Sequence, residues 1–291
     1  MSGCRIIDGR RIAAEIETET GMLIASAGER RRPCIVAVSI GNDPAAASYI
    51  RQKERAMARL SIEFRIKSFS SGVSKSQVSR FIEEASSDRS VDAVMVLSPV
   101  PQGYDIDELA DIIPPGKDVD CMSTYSRGLL YSGRPLFSPA TAEAVIEIMK
   151  HESVPVSGRH VVILGRSLVT GRPLASLLLM KGKEGDATVT VCHSRTEDLP
   201  RITRSADVLV AATGRPLSVA GTMIREGTVV IDVGISEIAV PGKQPRIVGD
   251  VDFESVSKVA SALTPVPGGV GPVTTAVLMR NVVRAWSRSL S

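Results

Sequence analysis

The sequence predicts an α/β protein of two domains, the second of them Rossmann-like, and three observations carry that reading. Short β-branched runs recur along the 291 residues, each followed by a stretch with helical spacing. One of these runs, Val161-Val-Ile-Leu164, breaks at Gly165, and Gly171 then sits inside the element that follows. A composition of 43% hydrophobic and 23% charged residues leaves room for two packed cores at this length.

In the first domain, residues 1–139, Asp8 is placed to cap a helix through about Ser26. Cys34-Ile-Val-Ala-Val-Ser-Ile40 reads as a strand, and Pro44 opens a helix to about Arg59. A strand from Ile62 to Ser68, a helix from Lys75 to Ser86 and a strand from Val91 to Leu97 complete the alternation. From Pro99 to Pro139 the chain is rich in turn residues, including Pro114-Pro-Gly116, and reads as a long loop of the functional kind. The second domain, residues 140–272, has strands at 161–164, 187–192, 207–212 and 227–233, with helices at about 170–181 and 197–205. β-branched runs closed by Gly or a charged turn are typical of parallel strands buried on both faces. A last helix, 273–287 within the closing segment 273–291, lines up Val277, Leu278, Val282 and Trp286 on one face, and is expected to return to the first domain.

Composition excludes several classes of function. Lys plus Arg number 35 against 32 Asp plus Glu, a net +3 without a basic run, so no nucleic-acid partner is expected. There is no apolar run of membrane-spanning length, and Met1-Ser-Gly-Cys-Arg-Ile6 is no signal peptide, so no membrane partner and a cytoplasmic location are expected. Cys4, Cys34, Cys121 and Cys192 are scattered without a C-x-x-C, and neither a metal site nor a disulfide framework is expected.

A strand, a tight turn at Gly165 and a helix N-terminus offer backbone N–H groups and a dipole to a phosphate. The spacing departs from the usual fingerprint, Arg166 taking the neighbourhood of its second glycine. The next strand ends in His193-Ser194-Arg195-Thr196. A free ribose 2′-hydroxyl would want an acid there, whereas a 2′-phosphate wants hydroxyls and a cation, so Ser194 and Arg195 point to NADP over NAD. An arginine on a solvated loop is the alternative for Arg195.

Six segments stand together in order: Gly41–Lys53, Lys117-Asp-Val-Asp120, Gly165–Pro173, Val191–Thr196, Gly249-Asp-Val-Asp-Phe253 and Thr264-Pro-Val-Pro-Gly-Gly-Val-Gly-Pro272. Over nearly the whole chain they resemble the methylenetetrahydrofolate dehydrogenase/methenyltetrahydrofolate cyclohydrolase family. The resemblance implies a homodimer of two α/β domains flanking a cleft, with tetrahydrofolate derivatives held by the first domain and NADP by the second. It implies one-carbon metabolism and, through its product, purine biosynthesis. Tyr49 matches the family tyrosine that stacks on the folate aminobenzoate ring, Lys53 its catalytic lysine, and Asp120 the aspartate that pairs with the pterin. Residues four apart on a helix point the same way, although such a Tyr and Lys also suit a solvated face, and Asp120 also suits a turn. The resemblance further assigns Leu97, Ser98, Pro267 and Gly268 to the substrate. To the cofactor it assigns Gly165, Arg166, Ser167, Ser194, Arg195, Ile235 and Gly269.

The departures from the family lie on the folate side. Leu97 in Val96-Leu-Ser-Pro-Val-Pro101 replaces a glutamine beside the catalytic lysine, and Ser98, a strand neighbour, faces the other way. Cys121 replaces a glycine, and Pro139-Ala-Thr-Ala142 replaces Pro-Cys-Thr-Pro. Hydride transfer depends chiefly on positioning, while hydrolysis needs general acid–base work, so the expectation is an intact dehydrogenase with a weakened cyclohydrolase. A non-catalytic module responding to NADP or folate is the other reading.

Overall fold

Asp8 starts the first helix by accepting at Oδ1 the N–H of Arg10 at 2.9 Å and of Arg11 at 3.4 Å. The computed structural model describes residues 3–28, 30–41, 44–239 and 244–289, with the backbone alone for 44–49. In chain order the elements begin with β1 (Arg5–Ile6), α1 (Gly9–Ser26), β2 (Cys34–Ile40), α2 (Pro44–Arg59), β3 (Glu63–Phe69), α3 (Lys75–Ser87) and β4 (Ala93–Val96). Next come α4 (Ile106–Ala110), α5 (Thr124–Tyr131), α6 (Ala140–His151), β5 (His160–Leu164), α7 (Gly171–Leu178), β6 (Thr188–Cys192) and α8 (Leu199–Arg204). Last are β7 (Val208–Ala211), β8 (Val229–Asp232), β9 (Ser236–Ile238), β10 (Arg246–Val248), α9 (Phe253–Val256), β11 (Ala262–Leu263) and α10 (Val270–Ser289).

Contacts divide the chain into two units, Met1–Ala13 with Thr141–Thr274, and Ala14–Ala140 with Thr275–Ser291. The first unit is built on a six-stranded sheet, ordered β1-β11-β8-β7-β5-β6, in which every neighbouring pair is parallel. Its central strands β5, β7 and β8 are buried almost throughout, as a parallel sheet covered on both faces requires. The chain runs from β5 out to β6 and then back across to β7, and that reversal opens a crevice at the carboxyl ends of β5 and β7. Residues 1–13, expected with the first domain, join this unit because β1 pairs with β11.

The second unit carries three parallel strands in the order β3-β2-β4. Val36, Val38 and Ile40 pack with Val78 and Ile82 of α3, and β2 is buried along its whole length. β3, by contrast, is exposed over most of its seven residues. The end of α10 belongs here: Trp286 is buried and donates its indole N–H to the Arg31 carbonyl at 2.9 Å.

Two short helices occupy the stretch from Pro99 to Pro139 that composition reads as a loop. Asp105 caps α4 and Ser123 caps α5, each through its side-chain oxygen, while Leu109, Ala110 and Leu130 supply just enough apolar surface to bury. β7 and β8 run shorter than the apolar stretches that mark them.

Candidate active site

The carboxyl ends of β5, β6 and β7 surround a cavity of about 460 Å³ lined by Leu164, Gly165, Arg166, Ser167, Cys192, His193, Ser194, Leu199, Ala212, Thr213, Arg215, Ser218, Val219 and Met223. Its floor depends on two glycines. Gly165 has φ +121°, and a Cβ there would overlap the Ala212 carbonyl on β7's exit. A Cβ on Gly171 would overlap the Gly165 carbonyl, so α7 can begin against the turn only as glycine. Ser167 Oγ accepts the Thr170 N–H at 3.2 Å, which leaves its own hydrogen to donate.

Of the expected cofactor residues, Gly165, Arg166, Ser167 and Ser194 line this cavity. Arg195 is exposed beside it, its N–H donated to His193 Nδ1 at 3.2 Å, but does not line it. Ile235 is 73% exposed between β8 and β9, and Gly269 is buried in the loop before α10; neither lines the cavity. Sequence reasoning missed Thr213, Arg215 and Ser218. The signal was available: Thr213-Gly-Arg-Pro216 follows the third strand of a dinucleotide-type sheet, where ligands gather.

The expected substrate residues fall in both units. Pro267 and Gly268 belong to the first, where the Gly268 carbonyl accepts the Gly9 N–H at 3.0 Å and Gly268 has φ +109°. Tyr49, Lys53, Leu97, Ser98 and Asp120 belong to the second. The Tyr49 side chain lies outside the described residues. Lys53, on α2, is only 4% exposed. Leu97 is buried, and its N–H continues the ladder to Val38 O at 2.8 Å, while Ser98, in the bend beyond β4, is exposed.

Asp120 is half-buried and accepts the Ala140 N–H at 2.7 Å, at the start of α6. The turn before it is built by Asp118, which is buried and accepts from Met122 N–H at 2.9 Å, Ser123 N–H at 2.9 Å and Ser123 Oγ at 2.7 Å. Asn281 of α10 is fully buried and donates to the Val119 carbonyl at 3.1 Å, fixing the same turn from another side. Cys121 does adopt the left-handed conformation its family counterpart would hold as glycine, with φ +53°, at a cost of about 1–2 kcal/mol. Burial pushes its thiol up to about 12 and that of Cys34 to about 11, so neither serves as an acid or nucleophile near neutrality.

At the end of β8, Asp232 accepts the N–H groups of Gly234, Asp250 and Val251 at 2.9–3.0 Å. Burial nevertheless pushes its carboxyl up to about 6, with the Asp250 charge adding to the rise and the three N–H groups opposing it. The folded state therefore keeps a proton that the unfolded chain releases above its ordinary value of 3.8. The resulting stabilisation is complete below that value and is lost as pH rises through about 6, amounting to about 3 kcal/mol. Asp232→Asn should flatten urea-denaturation stability between these two pH values, and an unchanged slope would place the titration elsewhere.

Comparison with known proteins matches both halves of this architecture. The NAD(P)-binding domain of tetrahydrofolate dehydrogenase/cyclohydrolase matches residues 139–290, and the catalytic domain of the same family matches residues 7–120. The bifunctional protein FolD of Nocardia farcinica is 45% identical over 286 residues, 97% of either chain. That of Caldanaerobacter subterraneus is 41% identical over 284 residues, covering 97% of this chain and 96% of its own. Among solved structures, the Trypanosoma brucei methylenetetrahydrofolate dehydrogenase-cyclohydrolase, complexed with NADP cofactor and inhibitor, superposes with TM-score 0.92 at 34% identity. The match covers 100% of this chain and 99% of that one. The Campylobacter jejuni enzyme gives 0.90 at 34% identity over 98% of this chain and 99% of its own. With both domains matched in order, and the glycine turn, the parallel sheet and the Lys-Asp-Val-Asp turn in place, the chain belongs to the tetrahydrofolate dehydrogenase/cyclohydrolase family.

Proposed function

We propose that the protein oxidises 5,10-methylenetetrahydrofolate to 5,10-methenyltetrahydrofolate with NADP, and hydrolyses the product to 10-formyltetrahydrofolate at a rate lowered by Leu97. The observation that carries the reading is the cavity over the Gly165 turn, whose backbone approach no side chain at Gly165 or Gly171 would permit. Those glycines fit a dinucleotide, and Arg166, Ser167 and Ser194 supply a cation and hydroxyls for its phosphates. NADP bound there would supply the acceptor for the hydride of the one-carbon bridge.

The chain's own groups divide the remaining work. The unit of Ala14–Ala140 with Thr275–Ser291 is the folate-binding catalytic domain, and that of Met1–Ala13 with Thr141–Thr274 the NADP-binding domain. Tyr49 stacks the substrate, Lys53 serves the hydrolysis, and the Asp120 carboxylate receives the pterin donors. Pro267 and Gly268 are assigned to the substrate, and Ile235 and Gly269 to the cofactor, on the family resemblance. Lys53 at 4% exposure does not belong to a solvated helix face, where a lysine of a non-catalytic module would ordinarily sit.

The active form is a homodimer. β3 is an edge strand exposed along most of its length, and an uncovered strand of that kind calls for a partner. Light scattering should return twice the mass of one chain, and a monomer at assay concentration would end the dimer proposal. All four cysteines are free, which suits a reducing cytoplasm, where the product is a one-carbon donor of the kind purine biosynthesis consumes.

The test of the cofactor reading is a titration with NADP and with NAD. Replacing Arg166 or Arg195 by alanine should weaken NADP about tenfold, the worth of one hydrogen bond to a charged group, and leave NAD nearly unchanged. Equal loss for both cofactors would mean that neither arginine reads the 2′-phosphate.

A further inference from the structure

One wall of the cavity is the loop from Thr213 to Ser218, which contributes Thr213, Arg215 and Ser218 to the lining. The loop contains no regular element, and Gly214 and Leu217 both hold positive φ, at +67° and +55°. Such a segment needs external partners to keep one shape. It finds them in one short stretch of chain. Asp250 is fully buried, and its Oδ2 accepts the Thr213 N–H at 2.5 Å and the Gly214 N–H at 3.0 Å. The Asp250 carbonyl accepts the Val219 N–H at 3.0 Å and the Ser218 hydroxyl at 3.4 Å, and the Gly249 carbonyl accepts the Leu217 N–H at 3.0 Å. Inside the loop, Thr213 Oγ1 accepts the Arg215 N–H at 3.0 Å and meets Ser218 Oγ at 3.1 Å.

Asp250 is itself held in place. Its N–H donates to Asp232 Oδ1 at 3.0 Å, and its carboxyl group packs against the Gly234 backbone, in space that a Cβ there would fill. Its Oδ1 is buried and accepts no hydrogen bond among the described residues. A buried carboxylate with one unsatisfied oxygen costs folding free energy. Its retention asks for a return, and the two amides on Oδ2 are where that return is found.

We propose that Asp250 is a positioning residue for the cofactor: its carboxylate clamps the Thr213 and Gly214 amides and thereby presets the wall that carries Arg215. The inference rests on the reading of this cavity as the NADP site. Asp250 does not line the cavity, so its effect on binding passes entirely through the loop. A preset wall spares the cofactor the ordering entropy that a loose loop would charge against affinity.

Amide hydrogen exchange and calorimetry test it together. In the wild-type protein without cofactor, the Thr213 and Gly214 amides should already exchange slowly, and NADP should add little further protection. Asp250→Ala should weaken NADP binding about tenfold and raise the NADP KM equally, with kcat at saturating cofactor and the folate KM within about twofold of wild type. A purely structural defect would instead lower kcat through loss of active protein. Asp250→Asn keeps an oxygen for both amides and should bind NADP within about threefold of wild type. Open-coil exchange of the two amides before cofactor is added would overturn the proposal, and that experiment needs no variant to fold. Wild-type affinity in Asp250→Ala, or a loss in Asp250→Asn as large as in the alanine variant, would overturn it too. Wild-type protein that binds no NADP at all would overturn the underlying reading of the cavity, a result distinct from these.

Discussion

Gly165→Ala should abolish NADP binding, with an affinity loss of about a thousandfold or more, corresponding to about 4 kcal/mol. Two terms add. The first is backbone strain, because Gly165 holds φ +121°, a region that costs an L-residue about 1–3 kcal/mol. The second is steric: the new methyl would overlap the Ala212 carbonyl, forcing β5 and β7 apart where Ala212 N–H donates to Leu164 O at 2.8 Å, and disturbing the Gly165 N–H to Cys192 O bond at 2.9 Å that ties the end of β5 to β6. Each of those hydrogen bonds is worth about 1 kcal/mol, and both shape the crevice rim. Thermal melts with and without NADP provide the readout, since a ligand that binds the folded state raises its melting temperature. The wild type should shift and Gly165→Ala should not. A variant that still shifts as the wild type does would remove the glycine turn from the binding site.

Leu97→Gln should raise methenyltetrahydrofolate hydrolysis by up to about a hundredfold while changing dehydrogenation much less. Leu97 is buried and offers no hydrogen bond from its side chain, so a glutamine there must find a polar partner or pay its desolvation. Lys53 is the partner the family resemblance implies, and an oriented amine is worth far more to proton transfer than a free one. The double variant Leu97→Gln with Lys53→Ala separates the explanations. If the gain comes from aiming Lys53, it disappears in the double variant, which is the coupling a double-mutant cycle measures. A gain that survives without Lys53 would show that the glutamine acts alone. Ser98, exposed in the bend beyond β4, and Cys121, whose thiol burial pushes up to about 12, are poor substitutes for either role.

Much of this architecture was readable before any coordinates, and the parts that were not share a physical cause. β2 and α2 fall at the residues the sequence suggests because a seven-residue β-branched run and a helix-opening proline are strong local signals. β1 and β11 are two residues each, too short for any periodicity, and exist only because they pair with each other and with β8. α4 and α5 lie hidden in turn-rich sequence because their stability comes from caps and a few buried side chains rather than from a long apolar stripe. The same division holds in the site. Gly165, Arg166 and Ser167 were legible as cavity residues because a strand, a glycine turn and a helix start are local, whereas the place of Arg215 depends on β7 lying beside β5, and that of Asp250 on a loop some thirty-six residues earlier in the chain. Arg195 was placed by the end of the second strand and Ile235 by family position; neither lines the cavity, to which the loop after β7 contributes Thr213, Arg215 and Ser218.

The most direct measurement follows NADPH and methenyltetrahydrofolate together in one time course, starting from 5,10-methylenetetrahydrofolate, NADP and the purified protein. The account predicts that both rise in equal amounts at a rate proportional to enzyme, and that methenyltetrahydrofolate then decays little faster than it does in buffer, because hydride transfer is intact and hydrolysis is slowed at Leu97. Failure of NADPH to rise above the enzyme-free control would contradict the dehydrogenase assignment, and NADPH formation without any build-up of methenyltetrahydrofolate would contradict the slowed hydrolysis.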